Sequence, residues 1–487
     1  MLSSIWRLKP STPSAPGSSA KRVLGPWQLI ALGVGTSLGA GLFAITGIAA
    51  GQYAGPAVAL SFLFAALASA FVALSYAELA SMFPNAAGSA YSYAYAGLGE
   101  GIAWGIGWCL FIAYLVTLSL VAGSWSSYLT SLLAEWGIVL DPRIVASTGT
   151  LVTMPDGSHA RAFINLPAII AIFAMTALHL GGVRESSKVN TLLVGLKVAM
   201  VTVFIIACLP HVDLRNYHPY LPENTGQFGQ FGWSGILSGA SLVFAAYLGF
   251  DIVSSAARDT REPRKNLPIG ILGTLGVCAC IYVTFSAVLV GVVNFHQLAH
   301  DASPAATAMN AIHMPVLAQI VKLGILIGFF AVLYGVLFGL SRSIMTMAED
   351  GLIPPVFSRT TRNGAPWAAL IGLAITSSML GAVLSINALG NMVSLGTLLA
   401  FIVVCIAVLI LRYRRPQAER PFRMPGGPWC IPLLGILSCL AVLSGMDLMT
   451  WLRFGVALAL GAAIYFLYGI RHSKLACKGS PQPFEPF

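Results

Sequence analysis

Apolar runs and short polar intervals alternate along the whole chain. Twelve runs approach or exceed the ~20 residues a helix needs to cross a bilayer. They cover residues 28–49, 55–82, 99–133, 163–181, 188–209, 233–257, 268–293, 317–347, 366–386, 389–413, 429–446 and 451–471. Two of them are interrupted. The first carries Gly33, Gly35, Gly39 and Gly41 within nine positions. Each glycine destabilises a helix interior by up to ~1 kcal/mol relative to alanine, so this span is predicted to break midway. The sixth contains Tyr247-Leu248-Gly249-Phe250-Asp251, a second predicted break. A broken span leaves backbone N–H and C=O groups at a depth where lipid cannot satisfy them. In transporters a substrate or coupling ion does so.

Spans 1–5 and 6–10 each open on an interrupted helix. An odd number of spans per half inverts the second half, which is the signature of inverted repeats with a midplane site. The predicted fold is therefore an all-α integral membrane protein. Its twelve-span domain covers residues 23–470, with repeats at about 28–209 and 233–413 and two extra spans over 429–471. Spans 11 and 12 carry few polar groups and read as lipid-facing or dimer-packing helices. Residues 1–22 are rich in Ser, Pro and basic side chains and lack an apolar signal core, so a disordered cytoplasmic tail is expected. Residues 472–487 form a second expected cytoplasmic tail.

Composition sharpens this picture. The chain is 57% hydrophobic and 9% charged, against about 25% charged in soluble domains, which excludes a soluble enzyme. The net charge of +10 does not point to nucleic acid, because its distribution is one-sided. Of the 27 lysines and arginines, 21 fall in alternate intervals with the tails. Arg143, Arg161, Arg215, Lys322 and Arg453 fall in the others, and Lys197 lies inside a span. This is the positive-inside rule, with both termini cytoplasmic, and it adds attraction to anionic lipid heads. The eight cysteines show no Cys-x-x-Cys spacing, so neither disulfide nor metal is inferred. His296 and His300 have i, i+4 spacing but no third ligand, and read as solvated.

Several short motifs occur in order: Gly33-Val34-Gly35 through Gly39-Ala40-Gly41-Leu42-Phe43, Tyr76-Ala77-Glu78, Gly88-Ser89-Ala90-Tyr91, and Asn165-Leu166-Pro167-Ala168. Arg184-Glu185-Ser186, Val189-Asn190, Tyr247 to Asp251, and Arg420-Pro421-Phe422-Arg423 complete the series. Together they resemble the amino acid–polyamine–organocation superfamily, most closely its cationic amino acid transporter branch. The resemblance implies a leucine-transporter-like fold with a 5+5 inverted repeat, broken helices 1 and 6, and alternating access in the cell (inner) membrane.

An amino acid zwitterion needs donors for its carboxylate and acceptors for its ammonium. A half-helix N-terminus offers free N–H groups and about half a positive charge. Ser37, Leu38, Gly39, Ala40 and Gly41 are placed to bind here, where the resembled family holds the carboxylate. Ala245, Ala246 and Leu248 can offer carbonyls at the second break, where similar transporters hold the ammonium. Lys197 lies about nine residues from either end of span 5, ~14 Å by helical rise, too deep to snorkel easily. In similar transporters a lysine here replaces a sodium ion and links conformation to protonation, so Lys197 is the coupling candidate, with protons as partner. Asp251, the other deep charge, reads as an N-cap of the second half of span 6. Glu78 is expected to orient a loop, and His179 to pack with a hydrogen bond.

The pattern departs from the resembled branch twice. After Gly107-Trp108 the branch commonly has a glutamate five positions on, where Ala113 stands. It also commonly has two phenylalanines where this chain has Phe244-Ala245. Phe244, Phe250 or a span 10 side chain are the candidate replacements for the lost lid. Both changes favour a wider, neutral pocket. The expected function is proton-coupled uptake of neutral or broad-range L-amino acids, without cofactor. An amino acid exchanger and a cationic amino acid transporter are the alternatives within that class. A membrane-embedded transferase would need a cluster of His, Asp, Glu or Ser-His groups, and a channel would need rings of charge.

Overall fold

The computed structural model describes residues 24–474 apart from 84–89, 155–156, 182–186, 258–259, 300, 302 and 362–363. The tail at 1–22, most of the tail at 472–487, the Arg184-Glu185-Ser186 motif, the start of Gly88-Ser89-Ala90-Tyr91 and His300 lie outside the described residues. The first predicted span is split into α1 (Pro26–Ser37), α2 (Ala40–Phe43) and α3 (Ile45–Ala49). Then come α4 (Val58–Met82), the short α5 (Ala90–Gly97), α6 (Glu100–Glu135), α7 (Leu166–Leu180) and α8 (Ser187–Cys208). The sixth span is split into α9 (Gly232–Val243) and α10 (Ile252–Ser255). α11 (Pro263–Val292), the short α12 (Phe295–Leu298) and α13 (Pro304–Ala311), then α14 (Pro315–Glu349) follow. The series ends with α15 (Trp367–Val383), α16 (Ile386–Arg414), α17 (Cys430–Leu443) and α18 (Leu448–Ile464).

Local sequence sets many of these starts. Pro26, Pro167, Pro263, Pro304 and Pro315 sit in first turns, where a missing N–H removes no helical bond. Asn165, Ser385 and Asp447 accept bonds from Ala168, Ala388 and Thr450 backbone N–H groups as side-chain caps. Strand is confined, among the described residues, to a hairpin of β1 (Leu151–Thr153) and β2 (His159–Arg161).

Among the described residues, eight helical stretches are long and apolar enough to cross a membrane, and three apolar helices are shorter. The expected number was twelve. The difference lies in the split first span and in α7, α15 and α17, of 15, 17 and 14 residues. At 1.5 Å per residue these fall short of a ~30 Å hydrocarbon core. Large apolar side chains such as Leu192, Val316, Met379 and Val456 stand exposed on helix exteriors, as they do against lipid rather than water. The molecule is a multi-pass membrane protein.

α1, α4, α9 and α11 pack together, while α6 packs with α7, α14, α15 and α16. Both described chain ends lie on one face, the terminal face. There Leu24 bridges Thr260, and the Lys474 N–H donates to the Asp350 carbonyl at 3.1 Å. The hairpin, α12 and α13 lie on the opposite, far face. α17 and α18 do more than face lipid. The Ser238 hydroxyl donates to the Gly445 carbonyl at 2.7 Å. The Trp104 and Trp108 indoles of α6 donate to the Gly461 and Ala457 carbonyls of α18 at 3.0 and 2.8 Å.

Candidate functional site

At the first break the helical ladder stops after the Leu38 N–H reaches the Val34 carbonyl at 2.9 Å. Leu38 is extended, with φ −72° and ψ 90°. The ladder resumes when Leu42 and Phe43 donate to the Gly39 carbonyl. Among the described residues, the N–H groups of Gly39, Ala40 and Gly41 have no backbone acceptor. They form the positive start of the second half-helix.

The second break begins with one tight turn, Phe244–Tyr247, then an extended Leu248 and Gly249 at φ +137°. Only glycine adopts that conformation without strain. A Cβ there would also lie 2.3 Å from Ser37 Oγ. A Cβ on Gly41 would lie 2.4 Å from Ala246 Cα. The two breaks therefore touch backbone to backbone, and the lack of side chains at 41 and 249 allows it.

A small cavity lies beside this crossing. Thr36, Ser37, Gly39, Ala40 and Gly41 line it from the first break, and Ala245, Leu248 and Ile252 from the second. Its far wall is Val332 and Val336 of α14 with Val393 of α16, and α6 adds Tyr114, Thr117, Leu120 and Val121. Among the described residues, no lining side chain is charged. Of the residues expected to bind substrate, Leu38 and Ala246 are not among those lining it. The Ala246 carbonyl accepts from the Tyr282 hydroxyl at 2.8 Å. Phe244 and Phe250 turn instead to Phe401, with ring centroids 6.0 and 5.2 Å away. The span 10 side chain at the cavity is Val393.

Lys197 is buried, and its Nζ donates to the Gly35 carbonyl at 2.7 Å. In an unbroken helix that carbonyl would accept from the Gly39 N–H. The lysine thus satisfies an acceptor that the break orphaned. Its stem packs on Gly328, where a Cβ would lie 3.1 Å from Lys197 Cε. Asp251 occupies the N-cap position of α10, but its side chain makes no capping bond. Its carboxylate accepts from the Gly249 N–H at 3.1 Å and the Tyr114 hydroxyl at 2.7 Å, tying α6 to the second break. His179 is buried, with Nδ1 3.1 Å from the Met175 carbonyl and its ring stacked on Tyr334.

Sequence reasoning missed Thr36, Tyr114, Thr117, Leu120, Val121, Ile252, Val332 and Val336, and named Val393 only as a span 10 side chain. A signal existed for Tyr114: a phenol in an apolar span needs a partner, and Asp251 was the unmatched acceptor. It also missed a buried charge at each face. Lys322 is buried against Glu135 and Ser131 on the far side. Glu100 accepts from the Tyr95, Tyr465 and Ser473 hydroxyls on the terminal side. Glu78 pairs with Arg412 and Arg420 and accepts from the Met424 N–H at 3.2 Å. Two motifs distant in sequence meet there.

The model of the family described as "Amino acid permease" matches residues 24–467. A branched-chain amino acid permease of Bacillus subtilis is 39% identical over 458 residues, 94% of this chain and 95% of that one. A methylthioribose transporter of the same organism is 36% identical across 97% of this chain and 100% of that one. The vacuolar cationic amino acid transporter 4 of Arabidopsis thaliana is 36% identical across 82% of this chain and 65% of that one. The two breaks, the lysine on an orphaned carbonyl and this likeness along the chain agree: the protein belongs to the amino acid permease family of the amino acid–polyamine–organocation superfamily, and is a membrane transporter rather than an enzyme.

Proposed function

We propose that this permease carries neutral, branched aliphatic L-amino acids by alternating access. The observation that carries the proposal is the cavity itself. Free N–H groups at Gly39, Ala40 and Gly41 suit a carboxylate, and carbonyls at Ala245 and Leu248 suit an ammonium. The uncharged wall of Val332, Val336 and Val393 suits an aliphatic side chain and offers nothing to a guanidinium. Burying an unpaired cation against it would be costly. The likeness to the branched-chain permease supports the same substrate class. The helices arrange as twelve spans, short ones included, in two inverted five-span repeats followed by α17 and α18. The basic terminal face is cytoplasmic. Lys197, holding the first break where a coupling cation would otherwise sit, links inward proton flow to uptake.

A second neutral class has its own support. The likeness to the methylthioribose transporter supports it. Uptake into proteoliposomes from a radiolabelled panel separates the two. Saturable isoleucine, leucine and valine uptake, mutually competitive and raised by an inward proton gradient, is expected. Potent inhibition by arginine with none by leucine, or uptake of methylthioribose alone, would reject the proposal. Homoexchange without any effect of the gradient would retain the substrate class and reject the coupling.

A further inference from the structure

The path from the cavity to the far face is closed in two layers. The first is Phe43, two residues beyond Gly41. Its ring meets Phe285 and Phe329 edge-on at 5.9 and 6.1 Å, and its carbonyl accepts from the Tyr128 hydroxyl at 2.6 Å. The second layer is built from neutral amides. Gln52 and Tyr53 sit on one π-helical turn, Ala50–Ala54, a form common at functional sites. Gln52 Nε2 donates to the Ala299 carbonyl at 2.6 Å. Asn387 Nδ2 of α16 reaches Gln52 Oε1 and the Tyr53 hydroxyl, both at 3.1 Å. Gly51 lets the turn approach, since a Cβ there would lie 2.3 Å from the Ala299 backbone.

We infer that Gln52, Asn387 and the Ala299 carbonyl form a latch that must open for substrate to pass between the cavity and the far face. Three elements meet in it: the end of the first broken span, the segment between α12 and α13, and α16. Asn387 lies six residues before Val393, so the latch stands ~9 Å beyond the cavity wall on the same helix. Its chemistry suits repeated opening. Gln52, Asn387 and Ala299, with Tyr53 beside them, are half-buried, so water can take over each bond as it breaks, and the net gain per bond is modest. The terminal face contrasts with this. There Glu78 joins α4 to α16 through a buried ion cluster whose rupture would strand charge. The latch rests on the alternating-access proposal above.

Asn387→Asp is near-isosteric: its carboxylate can still accept from the Tyr53 hydroxyl but loses the bond to Gln52 Oε1 and faces that oxygen with a negative charge. In cells carrying Val393→Cys, it is expected to raise labelling by a membrane-impermeant thiol reagent added at the far face roughly fivefold, the size of one lost hydrogen bond. Labelling equal to that of Val393→Cys alone would overturn the latch. Independently, Gln52→Cys with Asn387→Cys is expected to be joined by a short bis-methanethiosulfonate, which forms a disulfide to each thiol as methanesulfinate leaves, with uptake lost and then restored by reductant. Failure to cross-link, or full cross-linking with uptake intact, would also overturn it. Absence of uptake before cross-linking, in the wild type too, would count against the transport proposal and leave the labelling result to decide the latch.

Discussion

The Lys197 ammonium and the Gly41 α-carbon fix the first break in different ways, one by charge and one by absence of bulk. Lys197→Ala strands the Gly35 carbonyl in a buried setting. It is expected to abolish proton-driven accumulation while leaving some isoleucine exchange, read by counterflow with and without a pH gradient. Accumulation at the wild-type level would refute the coupling role. Gly41→Ala pushes a methyl into Ala246, with the ideal contact at 2.4 Å. Overpacking of this kind costs about 1–3 kcal/mol, so a lower melting temperature and a severe loss of uptake are expected. Gly276→Ala, with nothing within 4 Å of the added Cβ, should change neither. The backbone chemistry at 39–41 was legible in the glycine spacing alone. Ala246 was not, because which way a carbonyl points depends on its neighbour, here Tyr282.

At the scale of elements, the terminal-face anchor of α4 is a charge cluster and that of α18 a set of indole and hydroxyl bonds. Glu78→Gln leaves Arg412 and Arg420, each with 9% side-chain exposure, facing no carboxylate. Breaking a buried pair destabilises by about 3–5 kcal/mol, so thermal unfolding in detergent should come well below wild type. Arg264→Gln is the contrast: its pair with Glu419 is exposed, and such pairs contribute about 0–1 kcal/mol. The sequence placed helices at every apolar run and both breaks within a residue or two. It did not reveal that Tyr76-Ala77-Glu78 meets Arg420-Pro421-Phe422-Arg423, since that contact joins positions over 300 residues apart. Nor did it show α18 clamped to α6, because the acceptors are backbone carbonyls, identical in every residue.

For the whole molecule, both broken spans cross beside a cavity whose lining, among the described residues, carries no charge. Composition and charge asymmetry already gave its membrane class, and the motifs gave its family. The chamber's selectivity was less visible. Two departures from the cationic branch, at Ala113 and Ala245, hinted at a neutral site, but valines in apolar spans look alike until the fold gathers three on one wall. The most direct test is a structure of the protein with isoleucine bound. The ligand should lie between residues 36–41 and 245–252, its carboxylate on the Gly39–Gly41 N–H groups and its side chain on Val332, Val336 and Val393. Ligand bound elsewhere, or both spans found as unbroken helices with no chamber between them, would contradict the account.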